Sequence, residues 1–173
     1  MSQIKDLART LPDYAKDARL NISNILSEPS VDDQKKYGLL VACAHAAGYG
    51  PLIDAVEEEA GEHLSEEAMN AAKAAASLMA MNNVYYRFTH LVGNDAYSKL
   101  PANLRMNAMA KPGVDKIDFE LWSLAVSAIN GCGMCMESHE KVLAKAGAST
   151  ETIQYAARGA AVVFALARSL AAA

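Results

Sequence analysis

Two alanine-rich segments, 71–81 and 156–173, restrict the fold of this chain more than any other feature. Alanine has the highest helix propensity of all residues, whereas the β-branched residues that favour strands are sparse here. Because the second segment contains Arg158 and Arg168 and its side chains are mostly small, neither segment is a convincing membrane span. The sequence therefore predicts an all-α protein whose helices approach one another closely.

The length and charge of the chain limit how many domains it can form and what it can bind. At 173 residues the chain is long enough for one domain, 1–173, with a proper core. Its formal net charge of −4 gives no basic footprint for nucleic acid. The N-terminal residues 1–6 contain no apolar signal core, so we expect a cytoplasmic protein. In that compartment three cysteines do not form a disulfide framework, and a close pair is more often catalytic or metal-binding.

Capping residues, glycines and prolines predict where the helices begin and end. The predicted N-caps are Ser30, Ser65, Asp118 and Ser149. A less regular segment is expected from Asn82 onward, through His90 to Pro101. The predicted helices span 4–9, 13–26, 31–47, 52–60, 66–81, 119–130, 132–146 and 150–170.

The two halves of the chain resemble each other at an offset of 84 residues. Each half, roughly 31–89 and 115–173, is predicted to form a helical hairpin followed by a long helix. In the first half Gly48 and Pro51 stand where Cys132 and Cys135 stand in the second. The identical pairs include Leu40 and Leu124, Ala44 and Ala128, Ser65 and Ser149, Glu67 and Glu151, Ala72 and Ala156, and Ala76 and Ala160.

A Cys-x-x-Cys motif, Cys132 and Cys135, is followed by His139 and preceded by Glu120. At about 100° per helical residue, the two cysteines and the histidine share one helix face. Cysteine reacts as thiolate, which forms more readily near a helix N-terminus, a histidinium or a second cysteine. Glu120 is suited to orient His139 or accept its proton. Thiol–disulfide exchange is therefore the leading hypothesis.

Three other interpretations compete for the same residues. Glu120, Cys132, Cys135 and His139 make up a four-ligand zinc set, although structural zinc sites favour Cys and His throughout. Covalent haem attachment needs a histidine directly after the second cysteine, where Met136 stands, so this interpretation fails. Two buried cysteines packed as small hydrophobes remain an alternative. That reading suits Cys43 better than the pair, because glycines flank Cys132 on both sides.

At this point a family resemblance is visible. The segment 120–140, with Glu120, Cys132, Cys135 and His139, resembles the AhpD family of alkyl hydroperoxide reductase-associated proteins, in the carboxymuconolactone decarboxylase-like superfamily. Segments 11–17, 81–87 and 104–107 match as well, so the likeness runs essentially end to end. The decarboxylase branch of the superfamily lacks the cysteine pair. The family carries an all-helical fold of two related halves, and the resemblance implies a homotrimer.

The resemblance also implies an activity and its residues. Dihydrolipoamide would reduce a Cys132–Cys135 disulfide, and the dithiol would then reduce the peroxiredoxin AhpC or an alkyl hydroperoxide. Cys135 would form the sulfenic acid or mixed disulfide, Cys132 would be the proton donor and resolving thiol, and Glu120 and His139 would form a proton relay. A helix-dipole argument alone favours the thiolate at Cys132, whereas the i,i+4 position of His139 favours Cys135.

The implied partners are AhpC and a lipoylated dihydrolipoamide acyltransferase with lipoamide dehydrogenase. The lipoyl group would act as an electron-donating substrate; no bound cofactor or metal is expected. Some family members carry a histidine between the cysteines, where this chain has Met134, so a third relay base is missing at that position. Alternatives from other classes are a structural zinc-binding or thiol-sensing module without turnover, and a decarboxylase-like enzyme that uses His139 and Glu120 as acid and base.

Overall fold

A computed structural model describes residues 2–173, so that Met1 lies outside the described part of the chain. Over this range the protein is all-α, as predicted, and contains no strand. A short 3-10 turn at Asp13–Ala15 precedes the second helix. The α-helices are α1 (Gln3–Ala8), α2 (Lys16–Leu26), α3 (Asp33–Ala47), α4 (Gly50–Ala60), α5 (Glu66–Leu91), α6 (Asn107–Ala110), α7 (Lys116–Ile129), α8 (Gly133–Lys145) and α9 (Thr150–Ala172).

Two of the four predicted N-caps are confirmed. The hydroxyls of Ser65 and Ser149 accept the backbone N–H of the third residue of α5 and α9. The caps predicted at Ser30 and Asp118 are wrong, because Asp32 caps α3 and Asp115 caps α7. In both cases an aspartate at the boundary itself offers a carboxylate to the free N–H groups.

Asp118 instead lies buried inside α7. The side chains of Gln34 and Lys35 reach its carboxylate from α3. Burial alone lowers the pKa of the Lys35 ammonium, but hydrogen bonds to Asp32 and Asp118 outweigh this effect and raise it above its ordinary value. The residue predicted as a cap therefore ties α7 to α3 through a buried charged hydrogen bond.

The largest error concerns α5, which was expected to end near Met81 and continues to Leu91. Asn82 and Asn83 have modest helix propensity, which is why an irregular segment was predicted from that point. Tertiary contacts override this preference, since Asn83 is fully buried and its side-chain amide donates to the Ser127 hydroxyl at 2.9 Å. His90 accordingly lies in the last turn of α5, exposed to solvent.

Helices α3 and α7 form the centre of the molecule. Both pack against α5 and α9 and against each other, and α8 covers α7 and α5. Helix α3 is buried from Lys36 to Ala44, nine of its fifteen residues. This packing places the first turn of α8, which carries the cysteine motif, next to α5 and α7.

The C-terminal helix α9 is long and apolar enough, by length and composition alone, to cross a membrane. However, 44% of its most apolar window is buried within the protein, and it packs against α2, α3 and α7. Gly159 allows a close approach to α3, because a Cβ atom there would lie 2.6 Å from a methyl group of Leu39. These contacts are those of a core helix.

Helices α3, α4 and α5 follow one another in the same order as α7, α8 and α9. This order is the one expected from the sequence repeat. The derivation of the two halves from a common ancestral unit stays a prediction.

Gly38 is the tightest point of the α3–α7 contact, and we expect Gly38→Ala to destabilise the protein by at least about 2 kcal/mol. A Cβ atom at this position would lie 2.1 Å from a ring carbon of Trp122. The indole is fully buried and its N–H donates to the Lys35 carbonyl, so it has no room to move away. The free energy of unfolding from urea titration measures the effect.

Gly50→Ala is the matched control, because no atom of the described chain lies within 4 Å of a Cβ at that position. It should leave the stability nearly unchanged or raise it slightly. A Gly38→Ala protein as stable as the Gly50→Ala protein would contradict the packing described for Trp122.

Candidate functional site

The cysteine motif begins at the turn between α7 and α8. Gly131 has φ of +67°, a left-handed conformation that favours glycine, and so reverses the chain after α7. Cys132 was predicted inside the helix but is its N-cap, and its sulfur accepts the backbone N–H of Cys135 at 3.3 Å. Its own N–H donates to the Ser127 carbonyl. The position of Cys132 is therefore fixed by backbone contacts on both sides.

Cys132 and Cys135 are joined by a disulfide, with their Cα atoms 5.3 Å apart. The structure thus represents the oxidised form of the pair. Cys132 is inaccessible, whereas Cys135 is 7% exposed and faces a cavity. A reagent in that cavity meets Cys135 before Cys132.

His139 and Glu120 form a buried pair beneath the motif. His139 Nδ1 lies 2.6 Å from Glu120 Oε2, and both side chains are less than a tenth exposed. The second ring nitrogen, Nε2, faces the Met79 sulfur at 3.3 Å. Both nitrogens of His139 therefore have partners in the oxidised form, and neither partner is a cysteine sulfur.

A cavity of about 380 Å³ opens over Cys135. Its wall is largely apolar and rich in methionine, and His139 forms part of it. Its polar groups include Asn82, whose side-chain amide oxygen, Oδ1, is buried and has no hydrogen-bond partner in the described part of the chain. The lining residues are Met79, Asn82, Tyr86, Met106, Met109, Met134, Cys135, Ser138 and His139.

Sequence reasoning missed most of this cavity. Methionines 79, 106 and 109 were not among the candidate residues predicted from the sequence, and Asn82 was predicted to begin a less regular segment. Met79, Asn82 and Tyr86 are three and four residues apart, so they share one face of α5 once that helix is extended past Met81. This spacing is the signal that was available.

A second polar cluster supports the turn that carries Cys132. Asn83 donates to the Ser127 hydroxyl and accepts from the side-chain amide of Asn130 at 2.9 Å. Arg87, one turn further along α5, donates to the Asn130 carbonyl at 2.6 Å. Since Asn130 lies two residues before Cys132, these hydrogen bonds tie the turn to α5.

The remaining histidines lie elsewhere. His45 bonds to Glu57 at 2.6 Å in a partly exposed pair, and Lys73 contacts the other oxygen of that carboxylate. Burial raises the pKa of Glu57, but the hydrogen bonds from Lys73 and His45 outweigh it and hold the pKa below its ordinary value. His63 stacks on the Tyr37 ring, with the two ring centroids 3.9 Å apart.

Cys43, predicted to be structural, is fully buried in α3. Burial raises the pKa of its thiol far above the ordinary value, so that the residue stays protonated. Its contacts are those of a small core side chain.

The arrangement does not favour the zinc alternative. Over residues 2–173, no three His, Cys, Asp or Glu side chains gather closely enough to hold a metal ion. The two sulfurs are bonded to each other, and the Nδ1 atom of His139 faces Glu120. What the site offers is a disulfide at an apolar cavity with a buried histidine–glutamate pair beside it, which suits two-electron exchange with a dithiol and, once the disulfide is reduced, with a peroxide.

Comparison with known proteins supports a redox site of this kind. Residues 95–173 match the carboxymuconolactone decarboxylase family. A protein of Rhizorhabdus wittichii named alkyl hydroperoxide reductase AhpD is 57% identical over 160 residues, covering 92% of each chain. Proteins of the same name from Rhodopseudomonas palustris and Hyphomonas neptunium are 58% and 57% identical, and the matches cover 96% and 98% of this chain and 92% and 94% of theirs.

Proposed function

The chain belongs to the AhpD family, and we propose that it is an antioxidant redox enzyme that uses a Cys132–Cys135 dithiol to deliver electrons to peroxide. The electrons would come from a lipoyl group and pass to the peroxiredoxin AhpC or directly to an alkyl hydroperoxide. The single observation that carries the proposal is the Cys132–Cys135 disulfide at an apolar cavity.

In the reductive half of the cycle, one thiolate of dihydrolipoamide attacks the accessible sulfur, Cys135. A mixed disulfide forms, and Cys132 leaves as a thiolate that takes up a proton. The second lipoyl thiol then attacks the lipoyl sulfur of the mixed disulfide and releases Cys135 as a thiolate. Two electrons enter the protein, and lipoamide leaves as a cyclic disulfide. The exposure of Cys135 and the complete burial of Cys132 support this order of attack.

In the oxidative half, the Cys135 thiolate attacks the terminal oxygen of a hydroperoxide. A sulfur–oxygen bond forms, the oxygen–oxygen bond breaks, and the alkoxide takes a proton to leave as an alcohol. Cys132 then gives up its proton and attacks the Cys135 sulfenic acid; the hydroxide that leaves takes up this proton as water, and the disulfide is restored. With a peroxiredoxin as acceptor, the thiolate attacks the disulfide of that protein instead. The mostly apolar cavity wall suits an organic hydroperoxide.

His139 and Glu120 are proposed to manage the protons of both halves. Glu120 would hold the His139 ring through Nδ1, so that Nε2 is the nitrogen left to exchange a proton with Cys135. In the oxidised protein Nε2 faces Met79, so the imidazole must turn or move toward the sulfur once the disulfide opens. The buried 2.6 Å contact between His139 and Glu120 supports a coupled role.

The assembly is proposed to be a cytoplasmic homotrimer that works with a lipoylated dihydrolipoamide acyltransferase and lipoamide dehydrogenase. Large apolar side chains are exposed along the C-terminal half of α5, at Val84, Phe88, Leu91 and Val92. Subunit contact at this surface would remove them from water. Light scattering on the purified protein tests the trimer directly.

A coupled assay tests the proposed activity. It combines lipoamide, lipoamide dehydrogenase, NADH and an organic hydroperoxide, and follows the oxidation of NADH. We expect turnover that depends on this protein, with or without added peroxiredoxin. No turnover under either condition, together with stoichiometric zinc in protein purified without chelator, would replace the proposal with the structural zinc-binding alternative.

A further inference from the structure

Positive charge is concentrated in one segment of this otherwise acidic chain. Residues 87–116 hold five of the sixteen Lys and Arg residues but only two of the twenty Asp and Glu residues. The five cations are Arg87, Lys99, Arg105, Lys111 and Lys116, and all of them are exposed. The rest of the chain is strongly acidic, because the whole molecule still carries −4.

None of these five cations forms a salt bridge within the part of the chain that the structure describes. Elsewhere, cations such as Lys35, Lys73 and Arg158 have carboxylates within 3.0 Å. The charge of the segment is thus available to a partner, whereas much of the charge on other surfaces is neutralised internally.

Two of these cations lie close in the chain to residues that line the cavity over Cys135. Arg105 precedes Met106, and Lys111 lies two residues after Met109; both methionines line the cavity. Arg87 instead lies beside Val84 and Phe88 on another face of α5 and donates to the Asn130 carbonyl. We call Arg105 and Lys111 the basic rim.

We propose that the basic rim docks an acidic protein surface that presents the electron-donating dithiol to Cys135. The inference rests on the proposed function and adds the chemistry of the partner. Dihydrolipoamide itself is uncharged, so a cavity for it needs no surrounding cations. Exposed charges around a site raise the rate of encounter with an oppositely charged protein, and salt screens that effect. The rim therefore selects the carrier of the dithiol, while the apolar cavity receives the dithiol arm.

Synthetic dihydrolipoyl-lysine peptides with glutamate, glutamine or lysine flanks provide the test. The rate constant for reduction of the Cys132–Cys135 disulfide is measured at low and high ionic strength. For the wild type we expect the glutamate-flanked peptide to react fastest, about tenfold or more ahead of the lysine-flanked one at low salt. The difference should shrink as salt is added.

Charge reversal at the rim supplies the decisive variant. Arg105→Glu combined with Lys111→Glu should reverse the order of the peptides but leave the rate with free dihydrolipoamide within about twofold. Arg87, which lies outside the rim, is left intact because it holds the turn before Cys132. The matched control, Lys5→Glu with Lys16→Glu, changes the net charge equally on α1 and α2, which pack against α4 and α9. This control variant should react with the three peptides in the same order of rates as the wild type.

Two results would overturn the docking proposal. One is that the wild type reacts with the three peptides at equal rates; the other is that the rim and control variants change the ranking of the peptides by rate to the same extent. The uncharged donor separates this failure from that of the proposed function. If free dihydrolipoamide does not reduce the wild-type disulfide, the lipoyl donor is wrong. Dithiol peptides of two cysteines with the same three flanks then test the rim alone.

Discussion

Replacing either Cys132 or Cys135 with serine is expected to reduce peroxide-dependent turnover to the background rate of the coupled assay. A single remaining thiol cannot close the disulfide that dihydrolipoamide reduces, so the catalytic cycle has no return path. The two variants should nevertheless differ in a single turnover. Cys132→Ser keeps the accessible Cys135 and should accumulate its sulfenic acid, whereas Cys135→Ser should not react with the hydroperoxide. Mass spectrometry after trapping of the sulfenic acid measures this difference.

Cys43→Ala is the control for these variants, because Cys43 is the third cysteine and is buried in α3 away from the cavity. It should lose some stability, since it removes a buried side-chain atom, but keep its turnover. If either serine variant retains wild-type turnover, the Cys132–Cys135 dithiol is not the catalytic centre. The decarboxylase-like interpretation, with His139 and Glu120 as acid and base, would then take its place.

The helices and the candidate site residues could be predicted from the sequence because local rules specify them. Serine caps ahead of acidic first turns placed the starts of α5 and α9 correctly. The Cys-x-x-Cys-x-x-x-His spacing placed Cys135 and His139 one turn apart on one helix, and Glu120 was paired with His139 as its orienting group, as the family resemblance also implies. Their 2.6 Å contact agrees with that pairing.

The cavity could not be predicted in the same way, because it depends on where α5 ends. Propensity alone stops this helix near Asn82, and only a buried partner on α7, the Ser127 hydroxyl, makes Asn83 compatible with a continuing helix. The continued helix carries Asn82 and Tyr86 over the motif. A pattern read along one segment cannot show a hydrogen bond that joins residues 44 positions apart.

Glu120→Gln is expected to slow the reaction of Cys135 at neutral pH by about 100-fold, the lower end of what a positioned acid–base group contributes. Glutamine keeps the size and the acceptor oxygen for His139 Nδ1 but removes the negative charge. Without that charge the side chain no longer assists His139 in accepting the proton of Cys135, so less of the reactive thiolate is available. The rate of alkylation of the reduced protein by iodoacetamide, measured against pH, should shift to higher pH. Unfolding by urea shows separately how much stability the buried pair contributes.

The chain contains its own control for this prediction. His45 and Glu57 form a second histidine–glutamate pair with the same 2.6 Å contact, on α3 and α4 instead of beside the cysteines. Glu57→Gln should leave the pH profile of alkylation unchanged. If Glu120 acts only through His139, His139→Gln and the double variant should be about equally slow, because the second change removes a group that has lost its function. Additive losses would show that Glu120 and His139 act on Cys135 independently, and an unshifted profile in Glu120→Gln would remove the carboxylate from the relay.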